Sequence, residues 1–64
     1  MYIEVLSYQG AKPITRYPRT IIGAIGILSC LPDNERVRVT MDTKDGLRAF
    51  AGSVRTMQKH ITKL

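Results

Sequence analysis

The chain has 64 residues, of which 44% are hydrophobic, with one cysteine, one histidine and a formal net charge of +5 at pH 7. A chain this short buries only about 60% of the surface that its unfolded form exposes, so we expect one small domain, residues 1–64, of marginal stability. The single cysteine excludes an internal disulfide, and Cys30 and His60 are too few ligands for a zinc site. We therefore expect no metal and no cofactor. We also expect a homodimer, because oligomerisation is the remaining common way to stabilise so small a domain.

The apolar segments are too short to cross a membrane. The longest nearly uncharged run, residues 20–32, has 13 residues, whereas a spanning helix needs about 20. Residues 1–10 contain Glu4 within the apolar run and no basic leader, so they do not have the pattern of a signal peptide. These features predict a soluble, cytoplasmic protein with no membrane partner.

The first part of the chain predicts two strands. Residues 2–8 place Ile3, Val5 and Ser7 on one face of a strand and the intervening residues on the other. Residues 9–13 are rich in turn formers, and residues 14–17 are expected to pair back as a short second strand. Prolines on both sides of that second strand favour a position at the edge of a sheet.

Residues 20–32 predict a helix that begins at Thr20, as its N-cap, and stops at Pro32. Its apolar side chains point in every direction, which is typical of a helix buried on most sides. Gly23 and Gly26 lower its intrinsic stability by about 1 kcal/mol each, so we interpret them as positions of close backbone packing. Residues 36–41 then alternate as a strand, with Val37, Val39 and Met41 on one face.

The last segment allows two interpretations. The run Lys44-Asp45-Gly46 is a hairpin signal, so residues 47–52 could form a fourth strand followed by a short helix from Ser53. Alternatively, Thr43 caps one long helix. We favour the long helix, because six apolar residues repeat with the 3-4 spacing of a helical stripe: Leu47, Phe50, Val54, Met57, Ile61 and Leu64.

The predicted fold is therefore an α+β domain of order ββαβα, with a three-stranded sheet and two helices on one of its faces. Its expected core consists of apolar residues from all of these elements: Ile3, Val5, Ile22, Ile25, Leu28, Val37, Val39, Leu47, Phe50, Val54, Met57 and Ile61.

The positive charge is concentrated at the end of the chain. Residues 1–43 carry five cations against four acids, whereas residues 44–64 carry five cations against Asp45 alone. On one long helix these cations would form a stripe about 30 Å long, opposite the apolar stripe. Its members would be Lys44, Arg48, Arg55, Lys59 and Lys63.

A continuous cationic stripe predicts a non-enzymatic binding module that contacts the DNA or RNA backbone with low sequence specificity. Secondary candidates lie on the sheet face away from the helices: Tyr2, Tyr8, Arg36 and Arg38. Tyrosines and arginines on an open sheet are typical of single-strand binding, where rings stack on bases. The same face could equally pair with a second copy of the chain.

No arrangement of side chains predicts an enzyme. His60 has no serine or acid placed beside it, and Cys30 lies in an apolar stretch, where we expect an inert, packed thiol. An alternative function belongs to a different class, namely a small regulatory inhibitor or adaptor of phage or plasmid type. It would use the same cations in a protein–protein interaction with an acidic surface of a larger protein, since cations serve both kinds of partner.

Overall fold

A computed structural model of the chain describes residues 2–8 and 12–63, which form four strands and two helices in the order ββαββα. The elements are β1 Ile3–Ser7, β2 Ile14–Arg16, α1 Ile21–Ser29, β3 Arg36–Thr43, β4 Gly46–Ser53 and α2 Val54–Thr62. The predicted α+β class is confirmed, but the prediction of three strands is wrong, because the sheet has four.

The sheet is antiparallel throughout, with the strand order β2-β1-β3-β4. The short strand β2 lies at one edge, as its flanking prolines predict. The strand β4 lies at the other edge and pairs with β3 along its whole length, from Arg36 opposite Ser53 to Thr43 opposite Gly46. Among the residues that the structure describes, each edge strand therefore has a strand partner on one side of its backbone and none on the other.

Both helices pack on the same face of the sheet, where the side chains of β1 and β3 alternate inwards. The core consists of ten apolar residues: Ile3, Val5, Ala24, Leu28, Val37, Val39, Met41, Val54, Met57 and Ile61. Ile25 and Phe50 are half-buried against it. Two members of the predicted core are instead on the surface, since Ile22 is 82% exposed and Leu47 is 64% exposed.

Helix α1 begins as predicted but is less buried than predicted. The Thr20 hydroxyl accepts a hydrogen bond from the Gly23 N–H at 2.9 Å, which confirms the N-cap. Only Ala24 and Leu28 are buried within the helix, because α1 packs on α2 and β1 with one side and faces solvent with the other. A Cβ atom at Gly26 would meet nothing within 4 Å. The prediction that Gly26 serves close backbone packing is therefore wrong.

The long C-terminal helix is wrong, and the hairpin alternative describes this segment. Gly46 has φ +99°, a left-handed conformation that favours glycine, and it closes the turn between β3 and β4. The Thr43 hydroxyl, expected to cap a helix, instead accepts from the Asp45 N–H and donates to the Gly46 carbonyl. The helix begins eight residues later at Val54, with Ser53 as its N-cap.

The 3-4 spacing of the apolar residues does not mark one helix, because its members belong to a strand and to a helix. Val54, Met57 and Ile61 form a real buried stripe on α2, whereas Phe50 reaches the same core from a strand. Leu47 pairs with Asp42 and therefore points to the opposite face of the sheet. Leu64, the last member of the predicted stripe, lies outside the described residues, as do residues 9–11 of the predicted turn. Neither helix in the described part of the chain is long and apolar enough to span a membrane.

Candidate nucleic-acid interface

The outer side of α2 carries three of the predicted cations. Arg55, Lys59 and Lys63 follow one another at intervals of four residues, and all three are exposed. Since the helix turns about 100° per residue, this spacing places them opposite the buried Val54 and Ile61. They span about 12 Å along the helix at 1.5 Å per residue, so the predicted 30 Å stripe on a single helix is wrong.

The N-terminal end of α2 is held by the preceding loop. The Val54 N–H donates to the Glu35 carbonyl at 2.8 Å, and the Arg55 N–H donates to the Asp33 carbonyl at 3.1 Å. The Thr56 N–H donates to the Ser53 hydroxyl at 3.2 Å. Because these amides already have partners, a phosphate approaching α2 would be bound by the cationic side chains and not by the helix terminus.

The rotation of α2 about its own axis is fixed by contacts on both of its flanks. On the α1 side, the Gln58 amide donates to the Ser29 hydroxyl at 3.1 Å. On the β4 side, the His60 ring packs on the Phe50 ring with their centroids 4.2 Å apart. Together with the buried stripe, these two contacts keep the three cations of α2 directed away from the sheet.

Arg48 extends this set of cations from the neighbouring strand. It lies two residues before Phe50 on β4 and therefore on the same face of the sheet as α2. Lys63 lies three residues beyond His60, which contacts Phe50. Because α2 follows β4 directly and returns to contact it, the step from Phe50 to Arg48 and the step from His60 to Lys63 run in the same direction. The two steps cover about 5–7 Å, so Arg48 and Lys63 are at the same end of the layer. We call the four residues Arg48, Arg55, Lys59 and Lys63 the helix-side basic surface.

The opposite face of the sheet is not covered by either helix, and we call it the open face. The register places alternate residues of each strand there: Tyr2, Glu4, Leu6 and Tyr8 beside Arg36, Arg38, Thr40 and Asp42, with Leu47, Ala49, Ala51 and Ser53 on β4. All four secondary candidates from the sequence lie on this face. They are brought together, but on the side of the sheet away from the helix-side basic surface. The fifth predicted cation, Lys44, lies between the two in the β3–β4 turn.

The charges of the open face are balanced and divided between its two ends. Arg36 pairs with Ser53 near Tyr8, whose N–H donates to the Arg36 carbonyl at 3.3 Å. At the other end, the Tyr2 N–H donates to Asp42 Oδ1 at 2.9 Å and the Tyr2 hydroxyl donates to Glu4 Oε2 at 2.5 Å. Two arginines therefore occupy one end and two carboxylates the other.

The carboxylate end also carries a pair of tyrosine rings, and one of these tyrosines has a raised pKa. The rings of Tyr2 and Tyr17 lie 6.3 Å apart between centroids, at an angle of 55°. The hydrogen bond to Glu4, with a smaller contribution from the Glu4 charge, raises the pKa of Tyr2 to about 12. The alternation of residues 2–8 predicts Glu4 on this face, but Tyr17 and Asp42 were not predicted there, because their position depends on cross-strand register.

A cleft lies between β2 and α1. It has a volume of about 310 Å³ and is lined by residues that include Ser7, Arg16 and Cys30. Cys30 is exposed at the C-terminal end of α1, so the expectation of a packed thiol is wrong. Within residues 2–8 and 12–63, no three His, Cys, Asp or Glu residues are grouped so that they could hold a metal ion.

No protein-family model matches the chain, and neither a curated protein nor a solved structure is significantly similar to it. Function is therefore inferred from the charges and contacts of the described residues. The two surfaces that matter are the helix-side basic surface, which has no acidic residue in α2 or β4, and the charge-balanced open face.

Proposed function

We propose that this domain binds DNA or RNA without catalysing a reaction, through the helix-side basic surface of Arg48, Arg55, Lys59 and Lys63. The observation that carries the proposal is the exposed row of Arg55, Lys59 and Lys63 on α2, in an element pair that contains no acid. A row of exposed cations attracts a phosphate backbone, and its contacts release the counterions condensed on that backbone. The acidic residues Asp33 and Glu35 lie in the loop at the N-terminal end of α2, beside Arg55, whereas Lys59 and Lys63 lie farther along the helix.

Low sequence specificity accompanies this mode of binding. The groups available to the nucleic acid are long cationic side chains, which position a protein on phosphates but do not distinguish bases. The one amide side chain on α2, Gln58, already donates to Ser29 and is half-buried. We therefore expect similar affinities for mixed sequences of equal length.

Fluorescence anisotropy against labelled duplex and single-stranded oligonucleotides at about 50–300 mM salt tests the proposal. Four phosphate contacts predict a slope of log K against log salt of about −3.6 for duplex DNA and about −2.8 for single strands. A chain that binds neither DNA nor RNA at the lowest salt contradicts the proposal. That result would direct the search to an acidic protein surface as the partner of the same cations.

The double variant Arg55→Gln/Lys59→Gln locates the interaction. Removing two phosphate contacts should reduce the magnitude of the duplex slope by about 1.8 and the affinity at 0.1 M salt by about 60-fold. The control Lys12→Gln/Arg19→Gln removes the same charge from two exposed residues that are on neither α2 nor β4. It should leave the slope nearly unchanged, and equal losses in both variants would contradict the assignment to α2.

A further inference from the structure

We propose that the open face is a self-association surface, on which a second copy of this chain packs sheet against sheet. The two copies would be related by a two-fold axis that lies between the sheets and runs across the strands. The helices and the helix-side basic surface of each copy would then face outwards. This inference goes beyond nucleic-acid binding and does not depend on it.

The apolar content of the open face favours burial. Leu47 is 64% exposed and Tyr2 and Tyr8 are 43% and 47% exposed, beside the half-buried Leu6. Ala49 and Ala51 are exposed beside Leu47 on the edge strand β4, where their small side chains leave room for the side chains of a facing sheet. These apolar residues form two rows, one on β1 and one on β4, which flank the polar row of β3. A facing sheet would remove both rows from water, which favours association.

The order of charges identifies the occupant as a second copy. Along β3 the open face runs from Arg36 and Arg38 to Asp42, and along β1 Glu4 lies towards the Asp42 end. A two-fold axis across the strands reverses this order in the facing copy. The arginine end of each copy then lies over the carboxylate end of the other, and Arg36 lies over Asp42 of the second copy. Such a self-complementary pattern is what an isologous interface requires.

The same pattern disfavours the other occupants of this face. A nucleic acid would meet two carboxylates as well as two arginines, so its phosphates would be repelled from the end at which Tyr2 and Tyr17 lie. An acidic protein surface would meet the same repulsion. Neither partner would use both ends of the face, whereas a second copy uses both.

The size of the face sets the concentration at which association should be measured. Four strands about 4.8 Å apart, at about 3.3 Å per residue, outline roughly 400 Å² before side-chain relief is added. Stable interfaces bury about 800 Å² per partner, which is about twice the area of this face. We therefore expect a weak dimer, with a dissociation constant between about 1 μM and 1 mM. Sedimentation equilibrium from low micromolar to millimolar protein covers this range.

A charge exchange on β3 tests the proposed register. Arg36→Asp and Asp42→Arg should each weaken association at least about 10-fold, because each leaves two like charges facing each other twice in the dimer. The double variant Arg36→Asp/Asp42→Arg should recover association to within about 3-fold of the wild type, since the pairs re-form in reverse. A wild-type chain that is monomeric at 1 mM, or a double variant no better than the single variants, would overturn the proposal.

A second pair of variants keeps the test independent of folding at Asp42, whose carboxylate accepts from the Tyr2 N–H. Leu47→Arg adds a charge to an exposed residue of the open face and should also weaken association at least about 10-fold. Ile22→Arg adds the same charge to a residue of α1, on the helix side, that is more exposed than Leu47, and it should leave association unchanged. Association that survives Leu47→Arg but is lost in Ile22→Arg would assign the interface to α1 and overturn the proposal.

Discussion

The two faces of this small sheet both carry exposed cations, four on the helix-side basic surface and two on the open face, but they differ in what surrounds them. On the outer side of α2, Arg55, Lys59 and Lys63 have no acid in their own helix or in the adjacent β4. On the open face, Arg36 and Arg38 share the surface with Glu4 and Asp42 and with three tyrosines. The two surfaces therefore differ both in the number of their cations and in the carboxylates beside them, and the proposed binding of nucleic acid rests on both differences.

The two faces exist only while the helices remain packed on the sheet, and Leu28→Ala should break this arrangement with the largest effect. Leu28 lies on α1 and its side chain is fully buried in the core. Its truncation should lower the free energy of unfolding by about 2–5 kcal/mol, a large fraction of the stability of so small a domain. Urea unfolding followed by circular dichroism measures the change. Ile22→Ala, on the exposed side of the same helix, should change stability by less than about 0.5 kcal/mol, and an equal loss in both would contradict the burial.

The β3–β4 turn determines which face of the sheet each residue of β4 points to, and the variant Gly46→Ala tests this turn. Because Gly46 has φ +99°, an alanine there should lower the free energy of unfolding by about 1–2 kcal/mol. Gly26→Ala provides a matched control of opposite sign. That position is an exposed helix interior with open space around it, so alanine should raise stability by about 0.5–1 kcal/mol. A Gly46→Ala variant as stable as the wild type would contradict the turn, and with it the division of β4 between the two faces.

The orientation of the cationic row depends on where α2 begins, and Ser53→Ala tests that beginning. The Ser53 hydroxyl accepts from the Thr56 N–H and contacts the Thr56 hydroxyl at 2.9 Å. Its removal should lower the free energy of unfolding by about 1 kcal/mol, whereas Ser53→Thr should retain most of the cap. Thermal unfolding of the two variants measures the difference. Equal stability of Ser53→Ala and the wild type would mean that α2 does not begin at this residue.

The smallest effect concerns the carboxylate end of the open face. The pKa of Tyr2, raised to about 12 by its hydrogen bond to Glu4, should be visible as a late step in the ultraviolet absorbance of tyrosinate. A raised folded-state pKa means that the stabilisation from this hydrogen bond is complete below the ordinary pKa of about 10 and is lost as the pH rises through about 12. Glu4→Gln should move the step towards 10, and Tyr2→Phe should remove it. A Tyr2 step near 10 in the wild type would contradict the contact.

Most elements could be predicted from the sequence, because each has one clear periodicity. The alternation of Ile3, Val5 and Ser7 and that of Val37, Val39 and Met41 identify β1 and β3, and Thr20 marks the start of α1. The terminal segment could not be settled in this way. Phe50 and Val54 reach one core from a strand and a helix, and their spacing imitates a single helical stripe.

The site was predictable to the same extent as the elements that carry it. Arg55, Lys59 and Lys63 share a helix face in both the prediction and the structure, because the helical period holds from Val54 onwards. The strand alternation also predicts that the secondary candidates lie on the face away from the helices. The positions of Lys44 in a turn and of Arg48 on β4 were not predicted, since they depend on the pairing of β4 with β3. The acidic partners on the open face, Glu4 and Asp42, are 38 residues apart in the chain and become neighbours of the same tyrosine only in the folded sheet.

The most direct test of the difference between the two faces is a comparison of two charge reversals with the same change in net charge. Arg55→Glu/Lys59→Glu alters the helix-side basic surface, and Arg36→Glu/Arg38→Glu alters the open face. Affinity for a labelled duplex at about 0.1 M salt should fall by more than about 60-fold in the first variant, since two phosphate contacts are lost and repulsion is added. It should fall by less than about 5-fold in the second, through the change in overall charge alone. Equal losses in the two variants, or a greater loss in the second, would contradict the account.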